Sequence, residues 1–371
     1  MSTAQGLRVV GRFDCPGGGQ VVVDRGIAYV GHMKAPAGTS IIDVRDPANP
    51  RLLAHLEMPE GTHSHKVRVQ DGLMLTNREV LPRQPRPEGF TGGLAIHDVT
   101  RPDTPRPIAQ WETEGQGVHR FDFDGRHAYI SPTVAGYRGN IVMTLDLADP
   151  ARPTEVGRWW MPGQWEAGGE TPDWEGNAHR CHHPLRRGNR LYVSYWMAGF
   201  VILDISDMAR PVRVGGLDWS PPFPWPTHTA LPLPYRLNGR DVLVVADEDV
   251  MRPSPGQPAF MWLVDITDER HPMPFASFQI AEADGTPVPD HSGCHQPCEK
   301  ITGTEIPVAW FAGGLRVVDI ANPHAPVEVA RYIPDPAPGA DRAQTNDVTV
   351  DDSGLIYIID RVQGLTILER C

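Results

Sequence analysis

Three features of the chain predict an all-β fold, a seven-bladed β-propeller: a strand-like phrase ending in aspartate that recurs six times, a proline seven residues after each of those aspartates, and proline and glycine spread along the whole length. Of 371 residues, 37 are glycine and 38 are proline, and proline stands at about twice its ordinary share of roughly 5%. Proline removes a backbone donor and glycine costs entropy inside a helix, so long helices and coiled coils are excluded. With 40% hydrophobic and 22% charged residues, the composition is that of a folded chain, and its length allows a sizeable core.

The recurring phrase reads Ser40-Ile41-Ile42-Asp43-Val44, Ala95-Ile96-His97-Asp98-Val99, Met143-Thr144-Leu145-Asp146-Leu147, Val201-Ile202-Leu203-Asp204-Ile205, Trp262-Leu263-Val264-Asp265-Ile266 and Arg316-Val317-Val318-Asp319-Ile320. The prolines that follow are Pro50, Pro105, Pro153, Pro211, Pro272 and Pro326. Aspartate caps nearby backbone N–H groups and proline fixes φ, so each pair marks a tight turn. A second strand-like run comes next, as at 51–56, 154–159 and 327–332. Successive aspartates lie 55, 48, 58, 61 and 54 residues apart, a period that suits one propeller blade.

The last phrase, residues 364–369, aligns with residues 314–319, but the chain ends before its outer strand. Residues 7–13 match the post-proline strands. The expectation is one domain, 1–371, in which an N-terminal strand at about 7–13 completes the C-terminal blade and leaves no unpaired edge.

The phrases 201–207 and 315–323 resemble the LVIVD repeat. That resemblance implies a β-propeller and covers nearly the whole chain, but it implies no particular activity, because fold does not determine function.

Five of the strands expected to begin blades carry a histidine at one matching place: His65, His119, His182, His228 and His295, with His183 competing with His182 in the fourth blade. Equivalent positions in a propeller converge at one mouth of the channel, and convergent imidazoles are preferred ligands of zinc, copper and iron. These five are the expected metal ligands. His63, His179, His183, His291 and Asn346 are expected beside them, lining a substrate pocket. Five exceed the three protein ligands usual for catalytic zinc, so some are expected to support the site or face substrate. The competing possibility is a set of histidines, inherited by blade duplication, that only satisfy backbone groups.

Two long segments, 159–179 and 218–227, hold Trp159, Trp160, Trp165, Trp174, Trp219 and Trp225, six of the ten tryptophans. Trp165, Trp174 and Trp225 are expected to wall a pocket for an apolar or aromatic molecule, against the alternative that they only pack the loops down. Glu166, Glu170, Asp173 and Glu175 allow a cationic ligand or form a solvated face. Glu248 and Arg120 are the candidate catalytic residues, although Asp247-Glu248-Asp249 also reads as a solvated turn. Cys181 and Cys294 are expected to be small buried thiols.

The net charge is −12 with scattered basic residues, so no nucleic-acid footprint is expected. No apolar run approaches the ~18 residues of a membrane span and no basic-then-apolar leader opens the sequence. Five cysteines, odd in number and without CxxC spacing, fit free thiols in a reducing compartment. A cytoplasmic protein is expected. The function expected is a metal-dependent oxidoreductase, an oxygenase or oxidase using Fe(II) or Cu, otherwise Zn, on a small molecule. Alternatives are a metal-dependent hydrolase or lyase, and a non-catalytic scaffold that binds protein or peptide.

Overall fold

The structure, a computed structural model, describes residues 2–176, 178–220, 222–250, 259–281 and 290–371; residues 177 and 221 of the tryptophan-rich segments lie outside them. The chain is all-β. Among the described residues the helical content is one 3-10 turn, Glu166–Gly168, and no helix is long and apolar enough to cross a membrane.

Two compact units divide the chain, one made of residues 1–28, 43–51 and 220–371, the other of 29–42 and 52–219. In the second unit, three antiparallel meanders follow in chain order. The first comprises Thr62–His63 and Val67–Gln70, both on Leu73–Val80, then Gly92–Asp98 and Arg106–Thr113. Val118–Phe123, His127–Pro132, Val142–Asp146 and Thr154–Trp159 make the next. His179–Arg187, Arg190–Trp196, Phe200–Asp204 and Val212–Leu217 make the third. Leu75, Leu94, Ile96, Val118, Phe121 and Ile130 pack between the first two, and Tyr129, Cys181, Val193, Tyr195 and Val201 between the second and third.

In the first unit, Thr227–Pro232, Val242–Asp247, Met261–Asp265 and Met273–Phe278 repeat the pattern. Gln296–Pro297, Glu305–Ala309, Leu315–Asp319 and Val327–Ile333 form another sheet, with Thr3–Gln5 added at its outer edge. In the last sheet, Leu7–Phe13 runs antiparallel to Leu365–Arg370, beside Ile356–Asp360 and Thr345–Val350.

The repeated aspartate has one job in all six copies: its Oδ1 accepts the backbone N–H two residues on, at Arg45, Thr100, Ala148, Ser206, Thr267 and Ala321. That bond turns the chain out of the strand, and the following outer strand then pairs with a one-residue register shift, as at Ile96/His97, Thr144/Leu145, Ile202/Leu203 and Val317/Val318. Such a bulge increases local twist.

Candidate metal centre

In the second unit, Glu79 is the centre of the buried polar group. It lies one residue before the end of Leu73–Val80 and is 7% exposed. Gly117 places its partner: with φ +133° it forms an isolated bridge to Glu79, and a Cβ there would fall 2.0 Å from the Arg78 carbonyl oxygen. Only glycine fits this approach, which lays Val118–Phe123 against Glu79.

Glu79 Oε2 accepts from His63 Nε2 at 2.8 Å and from His119 Nδ1 at 2.9 Å. One ligand atom from each of His63, His65, Glu79 and His119 lies within 4.8 Å of every other. Burial alone would raise the Glu79 pKa, but the charge and hydrogen bond of His119 and the hydrogen bond of His63 reverse this and hold the carboxyl below its ordinary range. Burial lowers the pKa of His119 against the pull of Glu79. His65 is lowered well below the ordinary value by burial, with His63, Lys66, His119 and Arg120 adding to it. Glu79 is thus favoured as a carboxylate and His65 and His119 as neutral imidazoles, the protonation states in which such residues bind metal.

The hydrogen bonds also fix which nitrogens carry protons. A carboxylate only accepts, so His119 holds its proton on Nδ1 and presents the Nε2 lone pair, which accepts from Nε2 of His182 at 3.2 Å, a proton that an ion bound between the two would displace. Two nitrogens on one tetrahedral ion at about 2.0–2.1 Å lie about 3.3–3.4 Å apart, so this pair has nearly the spacing of co-ligands. His63 likewise donates through Nε2, and its buried Nδ1 finds no partner among the described residues. His65 differs. Asn77 takes the Lys66 N–H on its oxygen and gives its NH2 to Val118 O and His65 Nδ1, so the His65 proton sits on Nε2 and must leave before that atom binds metal. The donor set fits a first-row transition ion, with imidazole and carboxylate mixed.

His183 is buried on the same strand as His182, its amide bonded to Ser194 Oγ. Arg120 is 1% exposed, its backbone brackets Ser131 Oγ, and its charge helps lower His65 and His183. Trp174 stacks on His179 at 4.3 Å, while Trp165, 40% exposed, packs with Trp160 and Tyr137. Glu166 pairs with Arg138, and Glu170 accepts from Trp160 Nε1 and the amides of Gly163 and Trp165. These carboxylates hold the loop together.

In the first unit, His228 and His295 are each 2% exposed, with ring centroids 4.1 Å apart. His295 Nε2 lies 3.5 Å from Glu248 Oε1, and Arg361 Nη2 is 3.4 Å from the same oxygen. Asn346 accepts from Arg361 Nε and donates to Gly19 O. His291 stacks on Phe311 at 4.2 Å, with Nδ1 3.8 Å from Asp249 Oδ1. Trp225 is 2% exposed. The solvated-turn expectation for Asp247-Glu248-Asp249 is overturned: the three are 0%, 6% and 4% exposed, with Asp247 bonded to Trp262 Nε1 and Asp249 to the Gly293 amide. Cys181 and Cys294 are fully buried free thiols, and burial pushes both pKa values up.

Glu79 and Asn77 escaped the sequence reading. The signal that marks them is polar residues inside Leu73-Met74-Leu75-Thr76-Asn77-Arg78-Glu79-Val80, a run otherwise fit for a buried strand.

Solved structures across this fold are β-propellers. The chain is similar to the WD40 repeats of RRP9 (9% identity, 99% of each chain covered, TM-score 0.63), to the C-terminal WD40 domain of Sif2 (11%, 98% of each, 0.59) and to Sqt1 of Saccharomyces cerevisiae (8%, 95% of this chain and 85% of that one, 0.57). At such identities the likeness speaks for the fold alone. The family model for the LVIVD repeat matches residues 187–218 and 307–333. The chain is a β-propeller protein carrying LVIVD repeats. Comparison with curated proteins gave no significant match.

Proposed function

We propose that this protein is a metal-dependent enzyme on a seven-bladed propeller, an oxidoreductase that uses Fe(II) or Cu. The observation that carries the reading is the buried group His63, His65, Glu79 and His119, whose donor atoms lie within 4.8 Å of one another. His119 and His182 would hold the ion through Nε2, with Glu79 fixing the His119 tautomer as carboxylates do behind ligating histidines. His65, with its Nε2 proton, would donate to a bound substrate. The ion would supply Lewis acidity or electron transfer. A small apolar or aromatic substrate is the reading supported by the Trp160, Trp165 and Trp174 rings of segment 159–179, and a reducing, cytoplasmic setting by the free cysteines.

A second reading, a hydrolase or lyase using zinc, draws support from the imidazole nitrogens of the group, which suit zinc as well as iron or copper. The test is elemental analysis of tag-free protein purified without chelator, beside His119→Ala and Glu79→Ala. About one iron or copper per chain in the wild type, lost in His119→Ala, supports the oxidoreductase; zinc supports the second reading. No metal in the wild type, and none taken up on reconstitution, overturns both and leaves a binding scaffold.

A further inference from the structure

We infer that His228, His295 and Glu248 of the first unit are themselves ligands of a divalent transition ion, a 2-His-1-carboxylate set. This goes beyond the His/Glu group of the second unit and is argued from the first unit's residues alone.

The argument starts from protons. His295 Nδ1 is hydrogen-bonded to the backbone carbonyl of Asn346, and a carbonyl can only accept, so the proton sits on Nδ1 and the Nε2 lone pair turns to the other side. On that side lies Glu248 Oε1, 3.5 Å away. For His228 the same conclusion comes through a relay. Gln296 donates its NH2 to Pro297 O at 2.8 Å and to Glu299 Oε1 at 3.1 Å, which identifies its remaining atom as the oxygen. That oxygen takes the single hydroxyl proton of Thr229 at 3.1 Å. Thr229 Oγ1 must then accept from His228 Nδ1, 2.8 Å away, so His228 also keeps its proton on Nδ1 and offers Nε2.

Two buried imidazoles with ring centroids 4.1 Å apart thus both present Nε2 lone pairs, and His228 and Glu248 have ligand atoms within 4.8 Å of each other. Two imidazole nitrogens and one carboxylate oxygen converging in a buried place are the kind of donor set that a divalent transition ion takes. Imidazoles whose far nitrogen is held by a carbonyl or hydroxyl are the usual form of metal-bound histidine, and two of them with one carboxylate suit Fe(II) with open positions.

The test uses the full-length protein, stripped of metal and titrated with Co(II), reading its visible absorption and affinity. His228→Ala, His295→Ala and Glu248→Gln are each expected to weaken Co(II) binding at least about 10-fold or to remove an equivalent. Thr229→Val, close in volume, is expected to weaken it about 10-fold by releasing the His228 tautomer, read on protein whose folding is checked by circular dichroism. Unchanged Co(II) stoichiometry, affinity and spectrum in all four, while His119→Ala alters them, overturns this inference and leaves the second unit's reading standing. The reverse pattern supports the inference and removes that reading, and a wild type that binds no Co(II) overturns both.

Discussion

His119 gives its Nδ1 proton to Glu79 across 2.9 Å, and through that one bond a carboxylate on strand Leu73–Val80 decides which nitrogen the next sheet's histidine presents. Glu79→Gln keeps the size of the side chain but can donate as well as accept, so the tautomer is no longer dictated. Metal affinity is expected to fall about 10–100-fold with the fold intact. Chelator competition on the two proteins measures it, and equal affinities would remove Glu79 from the site.

Gly117→Ala should disturb this group from a distance. Its Cβ would sit 2.0 Å from Arg78 O at φ +133°, forcing Val118–Phe123 away from Glu79. Gly314→Ala is the control: at φ +75°, with a contact of 2.3 Å to Tyr332 O, it is strained in a similar way but lies in the other unit. Each is expected to lose about 1–3 kcal/mol of stability. Only Gly117→Ala should also change the His119 Nδ1 signal in a 15N-edited spectrum.

The repeat aspartates predict how the protein responds to acid. The Thr100 side chain and amide, with Arg106, bring Asp98 down to about 2, and Arg126 with the Ala148 amide does the same for Asp146, both from 3.8. Carboxyls depressed in the folded state contribute stability above their unfolded pKa and lose it as protons bind. Stability to urea should therefore be level above about pH 4 and fall between about pH 4 and pH 2. Asp98→Asn and Asp146→Asn should flatten that fall; an unchanged slope in the double variant would show that the loss arises elsewhere.

Asp265→Ala removes the acceptor for the Thr267 amide at 2.9 Å and the partner of Arg240. The expected loss is about 1–2 kcal/mol in chemical unfolding, with no effect on metal content. A loss of metal in this variant would mean that the turn and the buried histidines are coupled.

How far the sequence could be read depends on whether a residue's role is periodic. The turn aspartates repeat, so one physical cause, a side-chain oxygen capping the amide two residues on, shows six times in the chain. The five matching histidines were visible for the same reason. Glu79 has no counterpart in the recurring phrase, and its meaning comes only from the bridge to Gly117, 38 positions further along the chain. Asp247, Glu248 and Asp249 read as a solvated turn because three adjacent acids usually are; Trp262, Arg361 and Gly293 supply the donors that let them be buried. The strand Thr3–Gln5 on Val327–Ile333 was equally illegible, being short and without apolar alternation.

The pairing of Leu7–Phe13 with Leu365–Arg370 also sets a timetable for biosynthesis. Arg8 and Glu369, which form an ion pair, are 361 positions apart, so at about 5–20 residues per second a ribosome needs on the order of 20–70 s to deliver the second after the first. During that interval the N-terminal segment is a solvated strand without its native neighbour, while meanders that need only local contacts can already close. The nascent chain must keep residues 7–13 from pairing with the wrong strand, and a chaperone that shields them would act until residues 365–370 have left the tunnel.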